Sequence, residues 1–139
     1  MMRHDFQLPE EDVIYLDGTG LSWESINDRG MQWVLIHNYP VPSGYNIKNV
    51  TVAVKIETGY PRTPLDMAYF YPPLQRLDGK VIKAISGQSI DGKQFQRWSR
   101  HRTPQNPWRE GIDDLCTHLA LVSFWFENEF IKVSNGIAA

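Results

Sequence analysis

The chain has 139 residues, 42% of them hydrophobic, enough for one domain with a single sizeable core and too few for two. Its formal net charge of −2 argues against a general nucleic-acid binder, which carries a strong basic excess. A single cysteine, Cys116, excludes an internal disulfide framework and fits a reducing compartment.

The first residues, MMRHDFQLPEED, are polar and acidic where a secretory leader would be apolar. No apolar run approaches the roughly 20 residues that span a bilayer. The expectation is a soluble cytoplasmic protein with no membrane and no nucleic-acid partner. Pro9, the acids Glu10, Glu11 and Asp12, then Val13, Ile14 and Leu16 before an Asp17-Gly18 stop, predict a short helix. Those three acids are also candidates for docking on a partner.

Strand-like runs follow at 21–26, 31–39 and 49–56, the first two separated by Asn27-Asp28-Arg29-Gly30, a hairpin turn. In 49–56 Val50, Val52, Val54 and Ile56 alternate with other residues, the pattern of a half-buried strand. Prolines punctuate 59–74, so only LDMAYFY between them can pair in a sheet. Tyr69, Phe70, Tyr71 and Trp98 are expected to pack sheet against helix. Residues 75–107 read as irregular. From Gly111 to about Lys132, Ile112, Leu115, Cys116, Leu119, Val122 and Phe126 recur at helical spacing, which predicts a long amphipathic helix. The fold class is α+β: a four-stranded antiparallel meander sheet packed on helix, with a short N-terminal helix and a long C-terminal one, in a single domain over 1–139.

Chemistry-bearing motifs are sparse. Cys116 falls on the apolar stripe of the last helix, beside Asp113 and Asp114, so it is expected to be a buried, unreactive thiol. His118 falls off that stripe. The four histidines show no zinc spacing, and no phosphate-binding glycine loop is present, so neither a metal nor a cofactor is expected. Residues 97–109 carry Arg97, Arg100, Arg102 and Arg109 with His101 and no acid, which reads as a solvated surface or a docking patch. Asp66 could orient a backbone turn or a catalytic side chain.

A short helix, four strands, a Tyr-Pro-x-x-Pro turn, a crossover, a tryptophan and a helix together resemble the ubiquitin-conjugating enzyme fold. Tyr60-Pro61-Arg62-Thr63-Pro64 is similar to the family's Tyr-Pro-x-x-Pro-Pro segment, with Leu65 in place of the second proline. Trp108 stands where the family has a tryptophan ahead of its crossover helix. LPEED, PLDMAYFYPPL and WSRH resemble the divergent bacterial branch found beside ubiquitin-like modifiers and activating enzymes. The resemblance covers roughly residues 8 to 130 and implies binding positions at Tyr60, Pro61 and Trp108.

The family's catalytic cysteine lies about eight residues before that tryptophan, after a His-Pro-Asn turn. Neither exists here; counting back from Trp108 reaches Arg100, whose neighbour is Ser99. The resemblance therefore implies a serine carrier, with the modifier held as an oxyester. In an extended segment residues i and i+2 share a face, so Ser99 and His101 are expected to be neighbours. His101 is then the base, and Arg97, Arg100 or Arg102 holds the developing oxyanion. The implied partners are a ubiquitin-like modifier, its activating enzyme and an acceptor lysine on a protein. The alternative is an inactive adaptor of the same fold that binds modifier or activating enzyme.

Overall fold

The computed structural model describes residues 2–134, with side chains described as far as residue 131. Helix α1 (Glu10–Gly18) leads into β1 (Trp23–Asp28), β2 (Met31–Pro40), β3 (Asn49–Ile56) and β4 (Ala68–Tyr71). Then come β5 (Ile85–Ile90), β6 (Lys93–Trp98) and the long helix α2 (Leu115–Ser134). The expected α+β architecture is present, in the arrangement of a ubiquitin-conjugating fold. The sheet, however, has six strands and not four, in the order β1-β2-β3-β4-β6-β5 with every pairing antiparallel. The two extra strands form a hairpin inside the stretch read as irregular.

Both hairpin turns have the same chemistry. Arg29-Gly30 and Asp91-Gly92 all sit at positive φ (52°, 79°, 52° and 75°), the left-handed pair whose twist matches that of the strands they join. α1 starts where Pro9 offers its carbonyl to the N–H groups of Asp12 and Val13.

The sheet buries both faces. On one, Val34, Ile36, Val50, Val52, Val54, Phe70 and Trp98 pack against Leu115, Leu119, Val122, Trp125 and Phe126 of α2. Each such side chain contributes about 1.5–3 kcal/mol on leaving water. The other face holds Ile26, Trp33, Leu35, Ala53, Tyr69, Ile90 and Phe95, all buried with no helix over them among the described residues. Curvature covers them. The Asp91 N–H at the β5–β6 tip donates to Asp28 at the β1–β2 turn (3.2 Å), and Arg3 forks onto Asp91 at 2.9 and 2.7 Å. The two ends of the sheet thus meet across four intervening strands. Of the four aromatic residues expected between sheet and helix, Phe70 and Trp98 are there. Tyr69 is buried on the opposite face and half-buried Tyr71 packs against that same face, because alternate residues of β4 point to opposite sides of the sheet. Among the described residues no helix is long and apolar enough to cross a membrane.

Candidate functional site

The segment after β6 is anchored before it reaches Ser99. Trp98 is fully buried and its indole N–H donates to Oε1 of Gln96 (2.9 Å), which itself accepts the Leu74 N–H at 3.0 Å. The Ser99 N–H donates to the Ala84 carbonyl at 3.0 Å, one more rung of the β5–β6 ladder. Immediately afterwards the chain tightens: the Arg100 N–H donates back to the Trp98 carbonyl (2.9 Å), a three-residue turn. The extended geometry expected for 99–101 is therefore absent, and with it the automatic pairing of Ser99 with His101. Ser99 is half-buried, and its hydroxyl makes no hydrogen bond among the described residues.

His101 has a different partner. Its Nδ1 lies 2.9 and 3.0 Å from the two carboxylate oxygens of Asp66, with the two side chains 60% and 50% exposed. Of the two roles open to Asp66, the structure shows it holding an imidazole. Asp66 is set in place by its neighbour: Met67 adopts φ 58° and its N–H donates to the Arg100 carbonyl at 3.1 Å, which joins the two loops. An open cleft of about 630 Å³ lies beside this pair, lined among others by Thr58, Thr63, Leu65, Arg102 and Trp108. A larger hollow of about 760 Å³ near Leu8 and Gln32 contains neither Ser99 nor His101.

The arginines disperse instead of forming one patch. Arg97 donates to Ser86 Oγ at 2.9 Å on the face away from α2. Arg100 lies over the Trp98 ring at 4.9 Å and reaches Glu129 at 3.1 Å, so it braces β6 against α2. Arg102 stacks on Trp108 at 5.1 Å and lies 3.5 Å from Asp113. Arg109 also bonds Asp113, whose carboxyl burial pushes up but these hydrogen bonds hold below its ordinary value. Only Arg102 shares the cleft with His101. The run has no acid in sequence, but the fold supplies Glu129 and Asp113.

The Tyr-Pro segment caps α2. The Tyr60 hydroxyl donates to Asp12 Oδ2 (2.6 Å) and accepts the Leu115 N–H at 3.0 Å, while Asp12 Oδ1 takes the same N–H at 3.3 Å. Burial pushes the Asp12 carboxyl and the Tyr60 phenol above their ordinary values. Asp12 is consequently a buried cap and does not belong to the docking acids expected of this turn, whereas its neighbours Glu10 and Glu11 are exposed. Trp108 donates its indole N–H to the Pro61 carbonyl at 3.0 Å, closing the far wall of the cleft.

Two residues of α2 exchange the roles expected of them. Cys116 is exposed, with its thiol pushed up by partial burial and then by Asp114 and Asp12. His118 is fully buried, its Nε2 donating to the Met67 carbonyl at 2.9 Å and its ring edge-on to Trp125. The inward stripe runs Leu115, His118, Leu119, Val122, Trp125 and Phe126, one position round from the stripe through Ile112 and Cys116. Cys116→Ala is therefore expected to change unfolding free energy by less than about 0.5 kcal/mol, measured by urea denaturation, as at other surface positions.

His118 makes the fold sensitive to acid. Burial pushes the imidazole down to about 4, while the unfolded chain titrates near about 6.5. The unfolded state binds the proton first, so stability falls as pH drops through that window. We expect unfolding free energy about 2 kcal/mol lower at pH 5 than at pH 7, with the difference largely gone in His118→Gln. Glu24 contributes at lower pH: burial pushes its carboxyl up, but hydrogen bonds from Arg3 and His37 outweigh this and hold it at about 2. Its stabilisation is complete above about 4.5 and is lost only below that.

The family model described as prokaryotic E2 family E matches residues 8–129. No curated protein and no solved structure matches the chain.

Proposed function

The chain belongs to the prokaryotic E2 family E, and from that premise of a ubiquitin-conjugating-like role we propose that it carries a ubiquitin-like modifier as an oxyester on Ser99. The modifier arrives as an activated acyl group on a thiol of the activating enzyme. The Ser99 oxygen attacks the carbonyl; the C–O bond forms, the C–S bond breaks, and the serine proton passes to His101 and from it to the departing sulfur, which leaves as the thiol. An acceptor lysine amine then attacks the oxyester, forming a C–N bond as the C–O bond breaks. His101 takes the amine proton and returns one to the departing serine oxygen.

The observation that carries this reading is the His101–Asp66 pair, two residues from Ser99. A carboxylate on Nδ1 holds that nitrogen protonated and leaves Nε2 as the free base, the role of the third member in acyl-transfer triads. His101 is 60% exposed in its side chain, so rotation about χ1 meets little packing resistance. Arg102 lines the same cleft as His101, which supports it as the cation that meets a developing oxyanion.

One observation favours the second reading, a non-catalytic adaptor: the Ser99 hydroxyl makes no hydrogen bond to the imidazole in this structure. Mass spectrometry after incubation with an activating enzyme, modifier and ATP separates the two. A covalent adduct on Ser99 supports the carrier; a stable complex with no adduct overturns it in favour of the adaptor.

A further inference from the structure

The six-stranded sheet ends in two unequal edges. The outer edge of β1 is occupied: the Ser25 N–H donates to the Arg3 carbonyl (3.0 Å), the Asp5 N–H donates to the Ser25 carbonyl (2.7 Å), and the Asn27 N–H donates to Asp5 Oδ2 (3.0 Å). Among the described residues the outer edge of β5 has no strand beside it, and Ile85, Ser86 and Gly87 are exposed.

The register says which groups face outward. The two-residue Asp91-Gly92 turn makes Ile90 and Lys93 a hydrogen-bonded pair, so Gln88/Phe95 and Ser86/Arg97 are hydrogen-bonded pairs too. The Ser99 N–H on the Ala84 carbonyl continues that series. Ile85, Gly87 and Ser89 therefore point both backbone groups away from β6. Of these six groups, only the Ser89 carbonyl meets a further donor among the described residues, Gln88 Nε2 at 3.3 Å. Sheet edges are normally blunted by lysine, proline or inward charge; Ile-Ser-Gly-Gln-Ser-Ile has none of these.

We propose that β5 is a docking strand for the extended C-terminal tail of the ubiquitin-like modifier, which adds to the sheet antiparallel to Ile85–Ile90 and delivers its terminus to Ser99. This rests on the carrier reading above. The direction follows from the register: Ile85 lies opposite Trp98, so the N-terminal end of β5 borders Ser99. Only an antiparallel tail ends there. An added strand runs about 5 Å outside β5 and so about 10 Å from β6, a gap that two or three extended residues cross. Those residues must round the corner at Ala84, which asks for small residues, glycine above all. Recognition is by main chain and is accordingly tolerant of tail sequence.

The test uses the full chain and the C-terminal octapeptide of ubiquitin, read by amide NMR and hydrogen exchange. The amides of Ile85, Gly87 and Ser89 are expected to shift and to gain at least about tenfold protection; those of Ser86, Gln88 and Ile90, already bonded to β6, change little. Ser89→Pro removes one outward N–H without touching the ladder to β6, and it is expected to weaken binding about tenfold. The wild-type exchange pattern needs no variant, so misfolding of Ser89→Pro leaves the test intact. Shifts centred on Asp66, His101 and Trp108, or no binding at millimolar peptide, would overturn the proposal. So would protection of β5 that rises with protein concentration without peptide, since the occupant is then a second copy. Ser99→Ala is expected to bind the peptide as the wild type does. Intact strand docking with no adduct sinks the carrier alone.

Discussion

Ser99→Ala is expected to abolish the modifier adduct while leaving the fold and the acid-unfolding profile unchanged. The substitution removes one oxygen from a half-buried side chain that makes no hydrogen bond among the described residues, so its structural cost stays within about 0.5 kcal/mol. The backbone of Ser99 does the structural work there, through its N–H on Ala84, and alanine keeps it. Ser99→Cys is expected to restore an adduct of altered chemistry. The wild-type oxyester resists excess thiol and yields to hydroxylamine; the cysteine thioester exchanges with thiol within the same incubation. Intact-mass spectra with and without thiol distinguish the two. An adduct that survives in Ser99→Ala and maps elsewhere, with exposed Cys116 the first place to look, refutes the assignment.

Removing the proposed base comes next in size. His101→Ala is expected to slow adduct formation by about 10²–10⁴-fold, the usual contribution of a positioned acid–base group. Asp66→Asn is expected to slow it less and to change its pH profile, because a neutral amide no longer favours protonated Nδ1. Serine needs a base because its hydroxyl is a weak nucleophile, whereas cysteine is a few per cent thiolate at neutral pH. His101→Ala in the Ser99→Cys background should therefore cost at least about tenfold less than in the wild type. Equal losses in both backgrounds would mean that His101 shapes the loop and does not move the proton. Single-turnover rates across pH, with chain folding checked by circular dichroism, read the wild type and the four variants.

The unexpected hairpin shows what a sequence pattern conceals. Asp91-Gly92 is as good a turn signal as Arg29-Gly30, yet the residues before it, Ser86, Gly87, Gln88 and Ser89, carry no apolar alternation. An edge strand packs little, so hydrophobic periodicity is weakest where β5 lies. What holds it is pairing with β6, whose Phe95 and Trp98 are in the two cores. The acid-free arginine run misleads in the opposite way, since its counter-charges Glu129 and Asp113 come from other segments.

By itself the sequence determines the local elements: α1 from Pro9 to the Asp17-Gly18 stop, the alternation of β3, the tight turns, and the existence of α2. These depend on neighbours a few residues apart, where backbone stereochemistry and apolar spacing act directly. The resemblance carried by Tyr60-Pro61, Trp108 and the bacterial motifs likewise lies open in the chain. Only the tertiary structure decides which face of α2 turns inward, because one position of helix rotates the stripe by about 100°. Apolar spacing alone admits Cys116 as readily as His118. It is sheet packing that buries His118 under Met67 and leaves Cys116 in water. The same packing brings Asp66 to His101 across 35 residues and turns Arg100 back on Trp98. Such contacts are set by strand register and loop closure, which no local pattern encodes.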